Sequence, residues 1–203
     1  KDIVEANYQQ EPIDVKGRLY SKFMTYQYEK VPPFKYIMNY TDTADEGDDY
    51  LCSMNYGVSF NNQKYVIDII FTKDPMEITE PAVADMLTKD RVGYAKIESN
   101  NGGRGFARNV TRELKERKNH HTKIDWFHQS ENKQARILSN STGVMNNVFF
   151  PIDWETRWPE YAKSMKKYQR EGKNEHDDAP DCTTGVYENS NPNTMSFGYT
   201  KII

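Results

Sequence analysis

Stretches in which aromatic and β-branched residues mix with polar ones give way, along the chain, to stretches that repeat every three or four residues, and this change of period orders the elements. Residues 36–41 predict a strand, followed by a turn-prone stretch over 42–49 that contains Gly47. A second strand is predicted over about 50–60, and Asn61, Asn62 and Gln63 mark a hairpin into a third over 64–71. Three strands joined by short turns run antiparallel. Val83, Met86 and Leu87 then fall at helical spacing and predict a helix over 80–89, with a short buried strand over 92–97. Phe106, Val110 and Leu114 step by four and predict a second helix over 103–118, rich in Arg and Lys on its other faces. A fifth strand is expected over 123–128, and a helix starts over 132–138. Residues 148–151 form a short extended piece, 154–170 a helix, and 177–188 the last helix.

This order, a meander followed by βα units, predicts an α/β domain with a mixed five-stranded sheet flanked by helices. Residues 1–33 show no sustained period and end in Pro32 and Pro33, so they are expected to form an N-terminal arm or linker. The domain proper is placed at 34–188, and the Asn- and Ser-rich residues 189–203 are expected to be a loose tail. At 203 residues the chain fits one ordinary domain with tails.

Composition adds that the protein is globular yet very polar: 36% hydrophobic, 28% charged, and with 14 tyrosines too aromatic for a disordered chain. A net charge of −3 supplies no overall field toward nucleic acid, so any DNA contact must be local. Cys52 and Cys182 stand far apart without metal-ligand spacing, which fits a reducing compartment. No apolar run approaches the roughly 18 residues of a membrane helix.

The acids stand where such a sheet gathers a site. Asp42 ends the first predicted strand, Glu98 the fourth, and Asp177, Asp178 and Asp181 open the last helix. Sites in open α/β sheets form beyond strand carboxyl ends where the chain order reverses, a point the first and fourth strands flank if they are neighbours. Asp178 and Asp181, three apart, share a helix face. Carboxylates so gathered repel, and a hard divalent cation relieves them; all-oxygen ligation favours Mg²⁺ or Mn²⁺. Two such ions about 3.5–4 Å apart hydrolyse a phosphodiester by activating a water and stabilising the leaving oxygen. The plainer alternative is that these acids are helix caps and solvated strand ends, for which Asp177 and Asp178 are well suited.

Other features are less specific. The Gly-rich stretch over 100–108, with Arg104 and Arg108, opens a helix and is either a phosphate cradle or a plain turn; it lacks the Lys-Ser/Thr ending of an ATP-binding loop. Lys115, Arg117, Lys118, Lys133 and Arg136 are solvated helix faces by default, with DNA backbone contact as the functional alternative. His176 adjoins Asp177 as a possible outer ligand, whereas His120, His121 and His128 read as structural or exposed.

Four motifs, Tyr40-Thr-Asp-Thr-Ala-Asp-Glu-Gly-Asp-Asp-Tyr50, Ile97-Glu-Ser-Asn-Asn-Gly-Gly-Arg-Gly-Phe-Ala-Arg108, Phe127-His-Gln-Ser-Glu-Asn-Lys-Gln-Ala-Arg-Ile137 and His176-Asp-Asp-Ala-Pro-Asp181, taken with residues 12–26, resemble the carboxy-terminal nuclease domain of the large terminase subunit of tailed bacteriophages. The resemblance implies an RNase H-like fold and a metal-dependent endonuclease that cuts concatemeric phage DNA during packaging, with two Mg²⁺ or Mn²⁺ ions. It assigns Asp42, Glu98 and Asp178 as catalytic and as metal ligands, with Asp181 and Asp177 also at the metal and Asp45 and Asp49 as weaker candidates. From the basic residues noted above, independently of the resemblance, Arg104, Arg108, Lys133 and Arg136 are taken as the candidate DNA contacts. The paired aspartates also look like those of Holliday-junction resolvases, which leaves a branched-DNA resolvase as an alternative. A non-catalytic docking module is another. Partners implied are double-stranded DNA, an amino-terminal ATPase motor of the same polypeptide, the portal protein and the small terminase subunit, in the cytoplasm of an infected or lysogenic host, with no membrane.

Overall fold

The computed structural model describes residues 17–43, 49–98 and 103–190. In chain order these form β1 (Met24–Tyr26), β2 (Phe34–Asp42), β3 (Leu51–Ser59), β4 (Lys64–Thr72), α1 (Met76–Lys89), β5 (Tyr94–Glu98), α2 (Gly103–Glu116), β6 (Lys123–Phe127), α3 (Lys133–Asn147), β7 (Val148–Pro151), α4 (Trp154–Arg157), α5 (Pro159–Lys167) and α6 (Asp178–Glu188). The strands make one mixed sheet in the order β1-β7-β4-β3-β2-β5-β6. The meander β2-β3-β4 is antiparallel, while β5 joins β2, β6 joins β5, β7 joins β4 and β1 joins β7 in parallel. The sheet is thus wider than the expected five strands. The extra pair is short: β7 is the extended piece foreseen at 148–151, and β1 lies within the segment expected to be an arm.

Strand alternation sorts the side chains into two cores. Met38, Tyr40, Cys52, Met54 and Tyr56 point to one face, where Tyr161, Met165, Ala179 and Val186 of α5 and α6 cover them. Ala95 and Ile97 point to the other face, against Val83 and Leu87 of α1 and Phe106 and Val110 of α2. Helices on both faces explain why every residue of β3 is buried. The α1 side also carries a buried polar network. Asn39 donates to Ser53 (2.9 Å) and Asn55 (2.8 Å), Thr41 donates to Asn39 (2.8 Å), and Asn55 donates to the Met86 carbonyl (3.1 Å). Because its members bond one another, the network locks β2 to β3 beneath α1 at modest desolvation cost.

Residues 17–33 are built into this structure: Leu19 and Tyr20 are buried in the α5–α6 core, and β1 pairs with β7. At the other end Asn189, expected in the tail, is buried and its carbonyl accepts from the Tyr56 hydroxyl (2.9 Å). The helix expected over 154–170 is two helices. Trp158, at φ −131° and ψ 67°, breaks it, because Pro159 bars the preceding residue from helical geometry and then starts α5.

Gly185 sets the depth of α6. A Cβ there would lie 2.1 Å from Cζ of Tyr40, so only glycine lets that ring pass beneath the helix. Gly185→Ala is therefore expected to cost about 1–3 kcal/mol by overpacking, read as a lowered midpoint in denaturant titration. An unchanged midpoint would mean that ring and helix part freely.

Candidate metal centre

The parallel pairing of β2 with β5 places the carboxyl ends of these strands side by side, Thr41 opposite Ile97. Sheet order reverses here, with β3 and β4 to one side and β6 to the other. Asp42 shares its strand face with Met38 and Tyr40, and Glu98 lies opposite in parity to Ala95 and Ile97; both acids therefore turn toward α6. From the first turns of α6 comes Asp181, wholly buried. One ligand oxygen from each of Asp42, Glu98 and Asp181 lies within 4.8 Å of the others.

Two cations from α3 and one hydroxyl meet these acids. The Asn132 side chain caps α3 by accepting from the Ala135 amide (3.0 Å), which aims the first helical turn at the site. Lys133 places its ammonium 3.2 Å from Asp42 Oδ2 and 3.3 Å from Asp181 Oδ2. Arg136, its side chain 1% exposed, donates through Nη2 to Asp181 Oδ1 and lies 3.7 Å from Glu98 Oε1, while Nη1 donates to Glu188 and to the Tyr40 hydroxyl, both at 3.3 Å. Tyr40 in turn donates to Glu98 Oε1.

Even so, Glu98 Oε2 and Asp181 Oδ2 are buried without a hydrogen-bond partner. Burial, reinforced by Glu98 and opposed by Lys133, holds the Asp42 carboxyl well above its ordinary range. Burial likewise raises Glu98, outweighing the Tyr40 hydrogen bond. Lys133 responds in the opposite sense: burial pulls its ammonium down, but Asp42, Asp181 and Asp177 outweigh it and carry the group above its usual value. Negative charge is thus in excess: three buried carboxylates and Glu188 face two cations, and Glu98 Oε2 makes no hydrogen bond. This donor set fits a hard divalent cation.

A second group lies beside it. Asp49, His176 and Asp178 bring one ligand atom each within 4.8 Å of one another. Asp178 is buried, and its Oδ2 accepts from the Tyr50 amide (3.2 Å). Asp177 occupies the N-cap position of α6 without making a side-chain cap bond, so the plain capping role is not realised. Burial raises the Asp177 and Asp178 carboxyls.

Of the acids singled out from sequence, Asp42 and Glu98 therefore meet Asp181, while Asp178 meets Asp49 and His176. Arg104 and Arg108 are exposed at the start of α2, Arg104 with its guanidinium 4.3 Å above the Trp126 ring. Arg136, an expected DNA contact, is instead a buried counterion: the three carboxylates around it leave no face toward solvent. Lys133 also turns inward, to Asp42 and Asp181. Asp45 and residues 100–102 of the Gly-rich stretch fall outside the described residues. Tyr40 went unrecognised in sequence. The signal for the two cations was the spacing: Lys133 and Arg136 stand three apart on one helix and so share a face, which here meets Asp181.

A family model described as "Terminase Bacteriophage T7, Ribonuclease H-like domain" matches residues 41–148, over half of the chain. No curated protein sequence matches. Among solved structures, the nuclease domain of the large terminase subunit gp2 of bacterial virus Sf6 superposes with a TM-score of 0.55 at 12% identity, covering 78% of this chain and 90% of that one. A lysine-to-alanine mutant of the same phage domain, solved with calcium, gives a TM-score of 0.57 at 12% identity over 78% and 91% of the two chains. That mutant, solved with manganese and beta-thujaplicinol, gives 0.54 at 13% identity over 76% and 88%. At such identity these likenesses establish the RNase H-like fold.

Proposed function

This chain belongs to the terminase family typified by the ribonuclease H-like domain of bacteriophage T7 terminase, and on that premise we propose that it is a metal-dependent DNA endonuclease acting in phage genome packaging. The observation that carries this reading is the meeting of Asp42, Glu98 and Asp181 from three separate elements, buried, with Glu98 Oε2 and Asp181 Oδ2 making no hydrogen bond. Asp42, Glu98 and Asp181 would hold one Mg²⁺ or Mn²⁺, and Asp178, with Asp49 and His176, a second. Bound there, the ions supply the positive charge that activates a water and steadies the departing oxygen of a phosphodiester. The protein's own share is orientation. Arg136 fixes Asp181 and, through Tyr40, Glu98, so that the carboxylates present their free oxygens inward; Tyr40 holds the proton that keeps Glu98 Oε1 engaged. The substrate is concatemeric double-stranded DNA, presented by an ATPase motor in the same polypeptide alongside portal and small terminase subunit, in the cytoplasm of an infected or lysogenic host. Among the described residues no helix is long and apolar enough to cross a membrane.

Supercoiled plasmid incubated with the chain and Mn²⁺ is expected to become nicked and then linear, and to stay intact with chelator. Plasmid left supercoiled at every Mn²⁺ concentration would overturn the endonuclease reading.

Metal binding should also depend on pH in a stated direction. The Asp42 and Glu98 carboxyls titrate above their ordinary values of 3.8 and 4.5. A cation binds only the ionised forms, so binding releases protons that these groups hold more tightly than free carboxyls do. Mn²⁺ affinity measured by calorimetry is therefore expected to fall as pH is lowered, the loss setting in above the ordinary carboxylate range. Affinity that stays level from about pH 8 to about pH 5 would contradict this.

A further inference from the structure

Next to the acidic groups lies a groove of about 730 Å³ that the mechanism above does not use. One wall is the end of the β3–β4 pair, with Tyr50, Phe71 and Lys73; the other is α5 and the segment 168–176. We propose that this groove is the seat of the DNA backbone flanking the cleavage point, with Lys73, Lys163, Lys167 and Lys173 as its phosphate contacts. The proposal rests on the endonuclease reading and names the surface that reading requires.

Three observations support it. First, the groove is basic in an acidic protein: four lysines line it against Glu160 and Glu175, although the whole chain carries a net charge of −3. Glu160 is spent on Lys163 at 3.8 Å, and both are exposed. Lys163 and Lys167 lie four apart on α5 and so project from one face, and both are solvent-facing, as are Lys73 and Lys173. An anionic polymer is attracted to such a strip by local charge, whatever the net charge.

Second, the groove opens on the acids themselves. The Tyr50 amide donates to Asp178 Oδ2 at 3.2 Å, and the Tyr50 ring meets the His176 ring edge-on at 5.4 Å. His176 is at once a groove wall and a member of the Asp49–Asp178 group. A strand whose scissile phosphate sits at the carboxylates thus meets the groove at residues the two share.

Third, the wall is a packed aromatic pair where it adjoins the site. Tyr50 stacks on Phe71 with centroids 4.2 Å apart and rings 3° from parallel, and the Lys73 ammonium lies 4.7 Å from the Tyr50 ring centroid. The expected contacts Lys133 and Arg136 are turned inward, so the lysine groove supplies the positive surface that they do not.

The test is duplex binding measured over a salt series by fluorescence anisotropy, in the Asp181→Asn background so that the probe, a blunt duplex of mixed sequence, stays uncut. The variant Lys163→Glu/Lys167→Glu/Lys173→Glu is compared with Lys22→Glu/Lys30→Glu/Lys35→Glu, which changes net charge equally at exposed positions elsewhere. A milder Lys163→Gln/Lys167→Gln/Lys173→Gln form, with thermal melting of all three, guards against misfolding. The groove variants are expected to bind at least about tenfold more weakly, with a log–log salt slope smaller by about 3, since each lost phosphate contact removes roughly 0.9. The control should keep the parent slope. Parent-like slope and affinity in the groove variants would overturn the groove while the endonuclease reading stands, provided that the parent chain cuts plasmid. A parent chain that neither binds duplex nor cuts plasmid would overturn both.

Discussion

Asp181→Asn is expected to lower Mn²⁺-dependent plasmid nicking by at least about 100-fold, more than loss of an outer-shell partner costs a metal site. The substitution is close to a pure removal of charge. Asparagine keeps a carbonyl oxygen in the place of Oδ1, where Arg136 donates, and replaces Oδ2, which faces the Lys133 ammonium at 3.3 Å, by an amide that cannot ligate a cation. The fold should therefore survive, with a melting temperature near that of the parent, while the first ion loses a ligand. Asp178→Asn makes the contrast. Its carboxylate belongs to the group with Asp49 and His176, so it should weaken the second ion and leave calorimetric binding at the first intact. Wild-type nicking by Asp181→Asn would remove the Asp42–Glu98–Asp181 group from the reaction, and loss of both ions in Asp178→Asn would merge the two groups into one.

That contrast also marks where sequence reasoning runs out. Asp42 and Glu98 were legible because they end strands, and alternation fixes which face a strand-end residue takes; the parallel neighbours β2 and β5 then bring them together. Asp178 and Asp181 were not separable, since residues three apart share a helix face and periodicity cannot say which lies deeper. The seating of α6 on the sheet decides, and Gly185 lies close against the Tyr40 ring there, a contact between residues far apart in the chain. Five of the seven described strands, and the helices α1 and α2, follow period changes, because long patterned segments carry that signal. β1 could not be read: three residues, Met24 to Tyr26, are too few to show alternation, and their partner β7 has only four. Lys133 and Arg136 were placed on a solvated face for a related reason. A basic residue's surroundings are set by what packs across from it, and here that is three buried acids and Glu188.

Arg136→Met should destabilise the metal-free protein by about 3–5 kcal/mol, the range for removing one partner of a buried ion cluster, and so lower its melting temperature by roughly 6–20 °C. Methionine fills much of the volume, so the loss is electrostatic. Asp181 and Glu98 remain buried with neither the guanidinium nor, for Glu98, the Tyr40 hydroxyl steadied by Nη1. Arg136→Lys should rescue little, because a single ammonium cannot serve Asp181 and Glu98 on one side and Tyr40 and Glu188 on the other, as the two arms of the guanidinium do. The informative measurement is melting with and without Mn²⁺. A ligand that binds only the folded state raises its stability, and it gains most where the folded state carries the greatest uncompensated charge. Mn²⁺ is therefore expected to raise the melting temperature of Arg136→Met by more than that of the parent. Equal shifts in both would mean that Arg136 and the cation act on separate charges, and that the acids it touches are not the ones that hold the metal.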